Sequence, residues 1–373
     1  MAESTRLVDV VQERIDTFLE GQRPHLAAIG SDLDPLARFS ADLLHGGKRF
    51  RALFCYWGWQ SVAGLDTADD PLAPAPGADR LATVITASAG LEFFHAAALV
   101  HDDIMDNSDT RRGRPAAHRR FESLHRDESW LGDAASFGTN SALLFGDLLL
   151  SWSDELVSDA FDSLPSRDAA KAARREFNRM RTEVTAGQYL DILEESAWRS
   201  VDDEMLLGRA QRVIVYKSAK YSIEAPLTIG AAMAGGTPDQ LEALRHFGLP
   251  LGIAYQLRDD LLGVFGDPSV TGKPAGDDLG EGKRTVLIAT ARENLPPSAV
   301  RLVDELLGDA DLDDDQIAML QATIRESGAV DAIEESIADQ VSKARQAIDA
   351  APLAPSARAQ LSQLAETVTA RTA

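Results

Sequence analysis

The sequence predicts an all-α protein, and three observations support this class. Apolar side chains recur at helical spacing through long segments, including residues 5–20, 80–106, 140–157 and 166–196. No segment shows a convincing strand pattern of alternating polar and apolar residues. Hydrophobic residues make up 45% of the 373 positions, which is enough to bury a large core. We therefore expect a globular chain of one or two domains.

Charge and cysteine content exclude several classes of function. The formal net charge of −22 argues against binding to nucleic acid or anionic membranes, since both require a basic surface. The single cysteine, Cys55, excludes an intramolecular disulfide and a cysteine-rich metal site. The N-terminus lacks the apolar core of a signal peptide, and no run approaches 18 apolar residues, so we expect a cytoplasmic protein without stable membrane insertion.

The first candidate site follows a predicted packing helix at residues 5–20. Gly46 and Gly47 interrupt the helical pattern after it, and glycine permits close approach of the backbone to a ligand. Three cations that could bind phosphate then open the next helix: Lys48, Arg49 and Arg51. The alternative is a glycine helix end followed by a basic helix start. Residues 62–79, with three prolines and no periodicity, predict a surface loop.

The most informative stretch is residues 91–115, LEFFHAAALVHDDIMDNSDTRRGRP. If this segment is helical through Asp106, then Asp102 lies one turn before it and Asp103 three residues before it, so three carboxylates share one face. Such close like charges repel, and a bound metal would supply the missing positive charge. Oxygen ligands suit Mg²⁺, which takes one or two carboxylates and completes its coordination with water and substrate phosphate.

Arginines follow these acids within a few residues, and their guanidinium groups can bind phosphate oxygens bidentately: Arg111, Arg112 and Arg114. Acids and arginines together indicate a site for a metal-bridged diphosphate. The alternative is an acidic helix end followed by a basic loop, both solvated. His95 lies seven residues, nearly two helical turns, before Asp102, so it should face the same cavity as the acids. Ala98 and Phe94 lie below Asp102 on this helix face and would form an apolar wall. Residues 122–137 are predicted to form a loop.

A second acidic motif disfavours the solvated alternative. Asp259 and Asp260 end a strongly apolar helix that begins near Pro238, and Gln256 lies one turn before them. The glycine-rich loop that follows carries two lysines, Lys273 and Lys283. Between the two motifs, Lys217 and Ser218 fall inside an apolar helix, where an unpaired lysine would be costly and a buried anion would remove that cost.

These motifs resemble the trans-isoprenyl diphosphate synthases, also called polyprenyl synthetases. The matching segments are HDDIMDNSDTRRGRP, YQLRDDLLGVFGDP, HGGKRFR, GQYLD and the Lys217–Ser218 pair, in family order over about residues 40–290. The resemblance implies an isoprenoid synthase fold, a bundle of about a dozen helices around a deep central cavity. It also implies a single domain over residues 1–373, including the helices of 291–370, and a homodimer.

The resemblance further implies Mg²⁺ as the cofactor, with three ions per active site, and isopentenyl diphosphate and an allylic diphosphate as substrates. The aspartates that would hold Mg²⁺ are Asp102, Asp106 and Asp259, with Asp103 and Asp260 assisting. The cations that would hold the allylic diphosphate are Arg111, Lys217, Lys273 and Lys283. The residues that match the isopentenyl site are Lys48, Arg51, His95 and Arg112. Gln256 and the Lys217–Ser218 pair would face the allylic cation, and the catalytic set would be Asp102, Asp103, Asp106, Arg111, Lys217, Gln256 and Asp259.

Two positions depart from the family pattern. Ser218 stands where threonine is usual but keeps the hydroxyl group. Gly263 stands where a third aspartate is common, so the second motif lacks one carboxylate. If the helix ends at Gly263, the nearby Asp267 could replace that carboxylate through a water molecule.

The resemblance favours a chain-elongating prenyltransferase that uses dimethylallyl, geranyl or farnesyl diphosphate. A terpene cyclase and a non-catalytic partner subunit are the alternatives, and the segment GGKRFR with His95 favours elongation. In the family, large aromatics at Ala97 and Ala98 stop growth at fifteen carbons, so these small residues predict a longer product. Phe94 lies one turn deeper, about 6 Å along the helix, which leaves room for one more isoprene unit. Geranylgeranyl diphosphate is therefore the expected product, with farnesyl or longer chains as rivals, unless Phe93 and Phe94 are ordinary core residues.

Overall fold

The computed structural model describes residues 2–64, 78–111, 113–267, 276–309 and 311–369. Almost all of these residues are helical, which confirms the predicted all-α class. The α-helices are α1 (Ala2–Ile29), α2 (Asp34–Leu43), α3 (Phe50–Ala63), α4 (Ala78–Met105), α5 (Ala117–Asp127), α6 (Ala134–Asp162), α7 (Arg167–Ala197), α8 (Asp203–Val213), α9 (Ala225–Met233), α10 (Pro238–Phe265), α11 (Asp277–Gly280), α12 (Val286–Asn294), α13 (Pro297–Leu306), α14 (Asp314–Glu326), α15 (Ala329–Asp349) and α16 (Pro355–Thr369). A π-helical segment, Ile214–Glu224, joins α8 to α9.

One short antiparallel ribbon departs from the helical prediction. Strands β1 (Thr110–Arg111) and β2 (Arg114–Pro115) pair directly after the first acidic motif. Gly113, at the turn between them, has a positive φ of 70°, a backbone conformation that glycine adopts without strain. The ribbon therefore returns the chain toward α4, and Arg112 lies outside the described residues.

The chain divides into two compact units. The first comprises Met1–Arg175 and Pro226–Thr237, and its central contact is between α4 and α6, with α5 packed on α6 and both α1 and α3 packed on α4. Phe93 of α4 lies edge-on to Phe18 of α1 and to Trp152 of α6, with ring centroids 5.3 and 6.2 Å away. Phe93 is therefore a core residue of this unit, as the alternative interpretation of that position expected.

The second unit comprises Glu176–Ala225 and Pro238–Ala373. Its central helix is α10, which packs mainly on α15 and on the π-helical segment. Leu257 and Leu261 of α10 join a core cluster that extends to Leu287 and Ile333. The acidic end of α10 is thus fixed from its apolar side.

The sequence predicted several helix boundaries and missed others. The packing helix at residues 5–20 is part of α1, in which Leu7, Val11 and Ile15 are fully buried. The loop predicted at 122–137 is wrong over much of its length, since α5 continues to Asp127 and α6 begins at Ala134. The helix predicted to open with Lys48 begins at Phe50. The loop predicted at 62–79 lies mostly outside the described residues.

Helix α4 has the composition of a membrane span but the packing of a core helix. Within Asp79–Met105, an 18-residue window has a mean hydropathy of 1.4, and 72% of that window is buried inside the protein. Apolar side chains on nearly every face are what a helix surrounded by other helices requires.

Candidate active site

The first acidic motif forms the last turn of α4. Asp106 N–H donates to the Asp102 carbonyl oxygen at 2.8 Å, so the helical turn that brings the acids together is formed. Asn107 then ends the helix with a positive φ of 53°. The side chain of Asp102 is 20% exposed and that of Asp103 only 4% exposed. Asp102 and Asp106 are therefore partly exposed, although Oδ2 of Asp106 is buried, whereas Asp103 is buried as a whole.

Arg111 provides the positive charge for the buried aspartate. Its Nε donates to Asp103 Oδ1 at 2.8 Å and its Nη2 makes a shorter contact with the same oxygen. The same Nη2 lies 3.6 Å from Asp102 Oδ2. The ribbon of β1 and β2 carries Arg111 back to the acids, so Arg111 both orients Asp103 and places a guanidinium group beside Asp102.

A buried arginine organises the glycine-rich loop before α3. Arg49 has a left-handed backbone conformation, with φ 50° and ψ 38°, and its side chain is 5% exposed. The guanidinium group binds Glu92 Oε2 at 3.2 Å and Gln12 Oε1 at 2.6 Å, and it also donates to the Leu44 carbonyl oxygen. Gln12 Oε1 additionally accepts from Gly46 N–H at 3.1 Å. Arg49 is therefore a structural residue, whereas Lys48 beside it is exposed.

Glu92 brings two of the predicted isopentenyl-site residues into one neighbourhood. Its Oε1 accepts from Ala52 N–H at 3.1 Å, so the first turn of α3, which carries Arg51, lies beside this point of α4. His95 is three residues after Glu92, and residues at that spacing lie on one helix face. Both Arg51 and His95 are partly exposed. The fourth predicted residue, Arg112, lies outside the described residues, as does Lys273.

The π-helical segment positions Lys217 and Ser218. Glycines allow two neighbouring helices to approach it closely: a Cβ on Gly187 would lie 2.3 Å from Lys217 N, and one on Gly252 would lie 2.6 Å from the Ala219 carbonyl oxygen. Lys217 Nζ pairs with Asp191 Oδ2 at 2.5 Å. The anion that this lysine required is therefore a carboxylate of α7. π-helical turns occur frequently at functional sites.

A chain of side-chain hydrogen bonds connects Ser218 to the second acidic motif. The Ser218 hydroxyl donates to Gln256 Oε1, and Gln256 Nε2 donates to Asp260 Oδ1 at 2.8 Å. Asp260 is 5% exposed, and its Oδ2 accepts no hydrogen bond from the described residues. Burial raises the pKa of the Asp260 carboxyl well above its usual value, the hydrogen bond from Gln256 opposes this, and the charges of Asp278 and Asp259 raise it further.

Lys283 and Asp278, both from the segment after α10, form an ion pair near the end of that helix. Lys283 Nζ lies 3.5 Å from Asp278 Oδ1 and forms a shorter ion pair with Glu281. A Cβ on Gly263 would lie 2.0 Å from Asp278 Oδ2, so this carboxylate lies directly against the helix position where the sequence lacks an aspartate. Because α10 continues to Phe265, Gly263 is helical, and the condition under which Asp267 was expected to act is not met.

Each acidic motif has the donor atoms that Mg²⁺ prefers. Among the described residues, no group of three or more histidine, cysteine or acidic side chains is placed to hold a metal ion by itself. Mg²⁺ accepts one or two carboxylates and takes its remaining ligands from water and phosphate, so a closed cage is not required. The buried Asp260 oxygen without a hydrogen-bond donor and the purely oxygen donor set agree with a hard divalent cation. The candidate holders in the first motif are Asp102 and Asp106, with Asp259 in the second.

The predicted chain-length residues lie in order along α4. Asp102 and Ala98 are partly exposed, whereas Phe94 is 6% exposed and Ala97 is fully buried. The face therefore becomes progressively more enclosed with distance from the acids. Phe94 and Ala98, at i−8 and i−4 from Asp102, share its face of the helix.

Three supporting residues escaped the sequence reasoning: Gln12, Glu92 and Asp278. Asp191 belongs to the predicted GQYLD motif, but its ion pair with Lys217 was not predicted, although a lysine within an apolar helix requires an acidic partner. No signal in the sequence pointed to Gln12 or Glu92, because they contact Arg49 from 37 and 43 positions away in the chain.

Comparisons with known proteins show the family to which the chain belongs. The polyprenyl synthetase family model matches residues 34–324. A geranylfarnesyl diphosphate synthase of Aeropyrum pernix is 30% identical over 84% of this chain and 88% of its own length. A geranylgeranyl diphosphate synthase of Methanosarcina mazei is 28% identical over 92% of this chain and 91% of its own length.

A solved structure extends the match to the fold. The geranylgeranyl pyrophosphate synthase of Corynebacterium glutamicum, in complex with isoprenyl diphosphate and magnesium, has a TM-score of 0.89 and 38% identity, covering 98% of this chain and 99% of that one. The acidic motifs, the Lys217–Ser218 pair and the glycine-rich loop all lie inside the matched range. The chain therefore belongs to the polyprenyl synthetase family.

Proposed function

We propose that this chain is a Mg²⁺-dependent prenyltransferase that condenses isopentenyl diphosphate with an allylic diphosphate. The observation that supports this most strongly is that two helices end in the same way. Each presents an aspartate pair whose first member is accessible and whose second is buried, and each pair is followed by basic residues. Family membership and the two relatives named as prenyl diphosphate synthases support the same activity.

The reaction assigns distinct tasks to these residues. The C–O bond of the allylic diphosphate breaks, the electron pair leaves with the diphosphate, and the isopentenyl double bond attacks the allylic carbon. The resulting cation loses a proton to the released diphosphate, which gives a prenyl diphosphate longer by one isoprene unit. Mg²⁺, when bound, would stabilise the negative charge of the leaving diphosphate. Arg111 and Lys217, each oriented by an aspartate, would bind the diphosphate, so no side-chain base is required.

The decisive experiment supplies radiolabelled isopentenyl diphosphate together with each allylic primer in turn. A prenyltransferase incorporates the label into a prenyl diphosphate only when both substrates and Mg²⁺ are present. A terpene cyclase would instead consume the allylic substrate alone and release hydrocarbon. A non-catalytic subunit would give no product without a partner. Chromatography of the dephosphorylated products separates these outcomes.

We propose geranylgeranyl diphosphate as the main product, on the basis of the face formed by Phe94, Ala97 and Ala98. Ala98→Phe places an aromatic ring one turn from Asp102 and should shorten the product to fifteen carbons or fewer. Phe94→Ala removes the buried ring one turn further on and should lengthen it. The measurement is the product chain length by chromatography. Unchanged chain lengths in both variants would show that this face does not set the length.

We also propose a separate isopentenyl subsite at Lys48, Arg51 and His95, with Arg112 as a further member. Lys48→Ala should raise KM for isopentenyl diphosphate about tenfold or more, since a charge-assisted contact contributes roughly 1.5–3 kcal/mol. KM for the allylic substrate should change much less. Lys171→Ala, which removes another exposed lysine, is the control. Equal increases in both KM values would contradict separate subsites.

The assembly and location are proposed on further grounds. Large apolar side chains are exposed at the start of α6 and just before it: Trp130, Leu131, Leu143 and Leu144 are 47%, 98%, 50% and 66% exposed. A second copy of the chain packed against these side chains would remove them from water, and this supports a homodimer. Analytical ultracentrifugation would detect the dimer.

The family match over 34–324 includes parts of both compact units, which supports one polyprenyl synthetase domain. The single cysteine agrees with a cytoplasmic enzyme.

A further inference from the structure

Lys283 lies in a short segment that the protein holds on both sides. The segment, residues 281–285, joins α11 to α12. Before the lysine, Gly282 has a positive φ of 79°, and an ideal Cβ on it would lie 2.9 Å from Gly308 Cα. Glycine permits both this backbone conformation and this close approach. The backbone on the N-terminal side of Lys283 is therefore fixed against the residues just after α13.

On the other side of the lysine, Arg284 anchors the segment to Trp198. The guanidinium carbon of Arg284 lies 3.6 Å from the centroid of the Trp198 ring, and its side chain is 11% exposed. Its Nη1 also donates to Asp304 Oδ1 of α13 at 3.3 Å. A planar guanidinium group can stack on an aromatic ring and donate hydrogen bonds in its own plane, which the ammonium group of a lysine cannot do. Arg284 thus joins segment 281–285 to two other parts of the second unit.

Arg292 reinforces this arrangement from α12. Its Nη1 contacts the same Asp304 oxygen, its Nη2 donates to Asp203 at 2.9 Å, and its guanidinium carbon lies 5.4 Å from the centroid of the Trp198 ring. Burial lowers the pKa of the Arg284 guanidinium to about 10, although Asp304 opposes the shift, and Arg292 lowers it further. A buried guanidinium group requires compensating partners, so Trp198 and Asp304 determine where that of Arg284 lies.

Trp198 also connects this segment to the support of a second proposed diphosphate ligand. It begins a 3₁₀ turn directly after the end of α7. Helix α7 carries Asp191, seven residues before Trp198, and Asp191 pairs with Lys217. One aromatic side chain therefore links α7, which provides the partner of Lys217, to the segment that carries Lys283.

We propose that Trp198 is a positioning residue for the allylic diphosphate site, acting on Lys283 through Arg284. The inference rests on the proposed function, because the allylic diphosphate is the ligand that Lys283 would bind. Trp198 touches no substrate in this role: it fixes the backbone that carries the lysine. The ion pairs of Lys283 with Asp278 and Glu281 hold the other end of its side chain.

The test is a double-mutant cycle between Trp198 and Lys283. Trp198→Ala is introduced both into the wild type and into Lys283→Ala, and Trp198→Phe is the conservative variant that keeps an aromatic ring. Arg199→Ala is the matched control, because Arg199 is exposed and its guanidinium carbon lies 5.1 Å from the centroid of the same ring. Kinetics give KM for the allylic diphosphate and for isopentenyl diphosphate. Calorimetry gives Kd for inorganic pyrophosphate with Mg²⁺, which requires no turnover.

The expected pattern is an effect that disappears when the lysine is removed. In the wild type, Trp198→Ala should raise KM for the allylic diphosphate and Kd for pyrophosphate about fivefold or more, and should change KM for isopentenyl diphosphate less than about twofold. In Lys283→Ala the same substitution should change these values less than about twofold. Trp198→Phe should stay within about threefold of the wild type, and Arg199→Ala within about twofold.

Two results would overturn the inference. If Trp198→Ala has equal effects in the two backgrounds, Trp198 acts on the fold and not through Lys283. If Lys283→Ala leaves KM for the allylic diphosphate unchanged, there is no lysine contact for Trp198 to position. Circular dichroism checks folding. Arg284→Lys, which keeps the charge but loses the planar group, replaces Trp198→Ala in the cycle if that variant is unstable.

These outcomes are separable from the proposed function. A wild-type protein that elongates prenyl chains, but in which the two substitutions have additive effects, retains the function and refutes only the role of Trp198. A wild-type protein that neither elongates prenyl chains nor binds Mg²⁺–pyrophosphate refutes both.

Discussion

The first acidic motif, at the end of α4, and the second, at the end of α10, differ in how they accommodate a buried aspartate. In the first, Asp103 is 4% exposed and is bound by the guanidinium group of Arg111. In the second, Asp260 is 5% exposed and receives one neutral hydrogen bond, from Gln256. One motif thus carries its own counter-charge, whereas the pKa of the Asp260 carboxyl is raised by burial and by neighbouring acids.

The two acidic motifs therefore differ in the charge that surrounds their buried aspartates. The guanidinium group of Arg111 places a positive charge directly against the buried Asp103 of the first motif. In the second motif the cation Lys283 lies 3.5 Å from Asp278, while Asp260 is bound by the amide of Gln256. We therefore expect Asp260 to contribute less to the stability of the folded chain than Asp103 does.

The largest expected effect comes from removing the accessible aspartate of either motif. Asp102→Ala or Asp259→Ala should lower kcat by about two orders of magnitude or more, because each carboxylate would help place positive charge on the leaving diphosphate. Helical circular dichroism should remain unchanged. Asp159→Ala, which removes an exposed acid near the end of α6, is the control for the loss of a surface charge. Near-normal turnover in either motif variant would remove that motif from the catalytic site.

An intermediate effect should distinguish the two buried aspartates in metal-free protein. Asp103→Asn leaves the guanidinium group of Arg111 facing a neutral amide and should lower the free energy of unfolding by about 1–3 kcal/mol. Asp260→Asn removes a desolvated acid that lacks a cation as its direct hydrogen-bond partner, so stability should stay the same or increase. Urea denaturation with a metal chelator present measures both changes. Equal losses in the two variants would show that the motifs do not differ in this way.

The smallest effect concerns Cys55, which reports on the folding of the first unit. Burial raises the pKa of the Cys55 thiol from 9.0 to about 12, although a hydrogen bond with Ser88 opposes the shift. At pH 8 the native protein should react with iodoacetamide at least about a hundredfold more slowly than the unfolded protein. Between pH 9 and about 12 only the unfolded thiol ionises, so folding stability should fall as pH rises.

The same alkylation assay sharpens the comparison of the motifs. Asp102→Ala should retain the protection of Cys55 if its loss of turnover is purely chemical. Rapid alkylation of that variant would instead attribute the loss of activity to unfolding of the first unit.

Sequence reasoning succeeded where the information was local and periodic. The helical class followed from apolar spacing, and the α4 turn that carries Asp102 and Asp106 followed from their separation. It failed for α5, whose many charged residues obscure the single buried face that includes Phe121 and His125. A helix with a narrow apolar face depends on its neighbour, here α6, more than on its own composition.

The supporting shell of the site could not be predicted because it is assembled from distant segments. The segment HGGKRFR suggested three phosphate-binding cations, but the structure buries Arg49 against Glu92 and leaves Lys48 exposed. Likewise, Gly263 was read as a missing carboxylate, whereas Asp278, fifteen positions later, occupies that space. Such contacts depend on the path of the backbone, which local spacing does not encode.

The contact of Gln12 with the glycine-rich loop has a practical consequence. Gln12 lies in α1, ahead of the family match that begins at residue 34, yet its Oε1 accepts hydrogen bonds from both Gly46 and Arg49. Asp16 in turn accepts from Gln12 Nε2 at 2.9 Å, which fixes the direction of the amide group. A shortened protein that begins at residue 34 would therefore lose two anchors of its proposed isopentenyl subsite. We therefore expect the smallest active fragment to begin before residue 34 and to include Gln12.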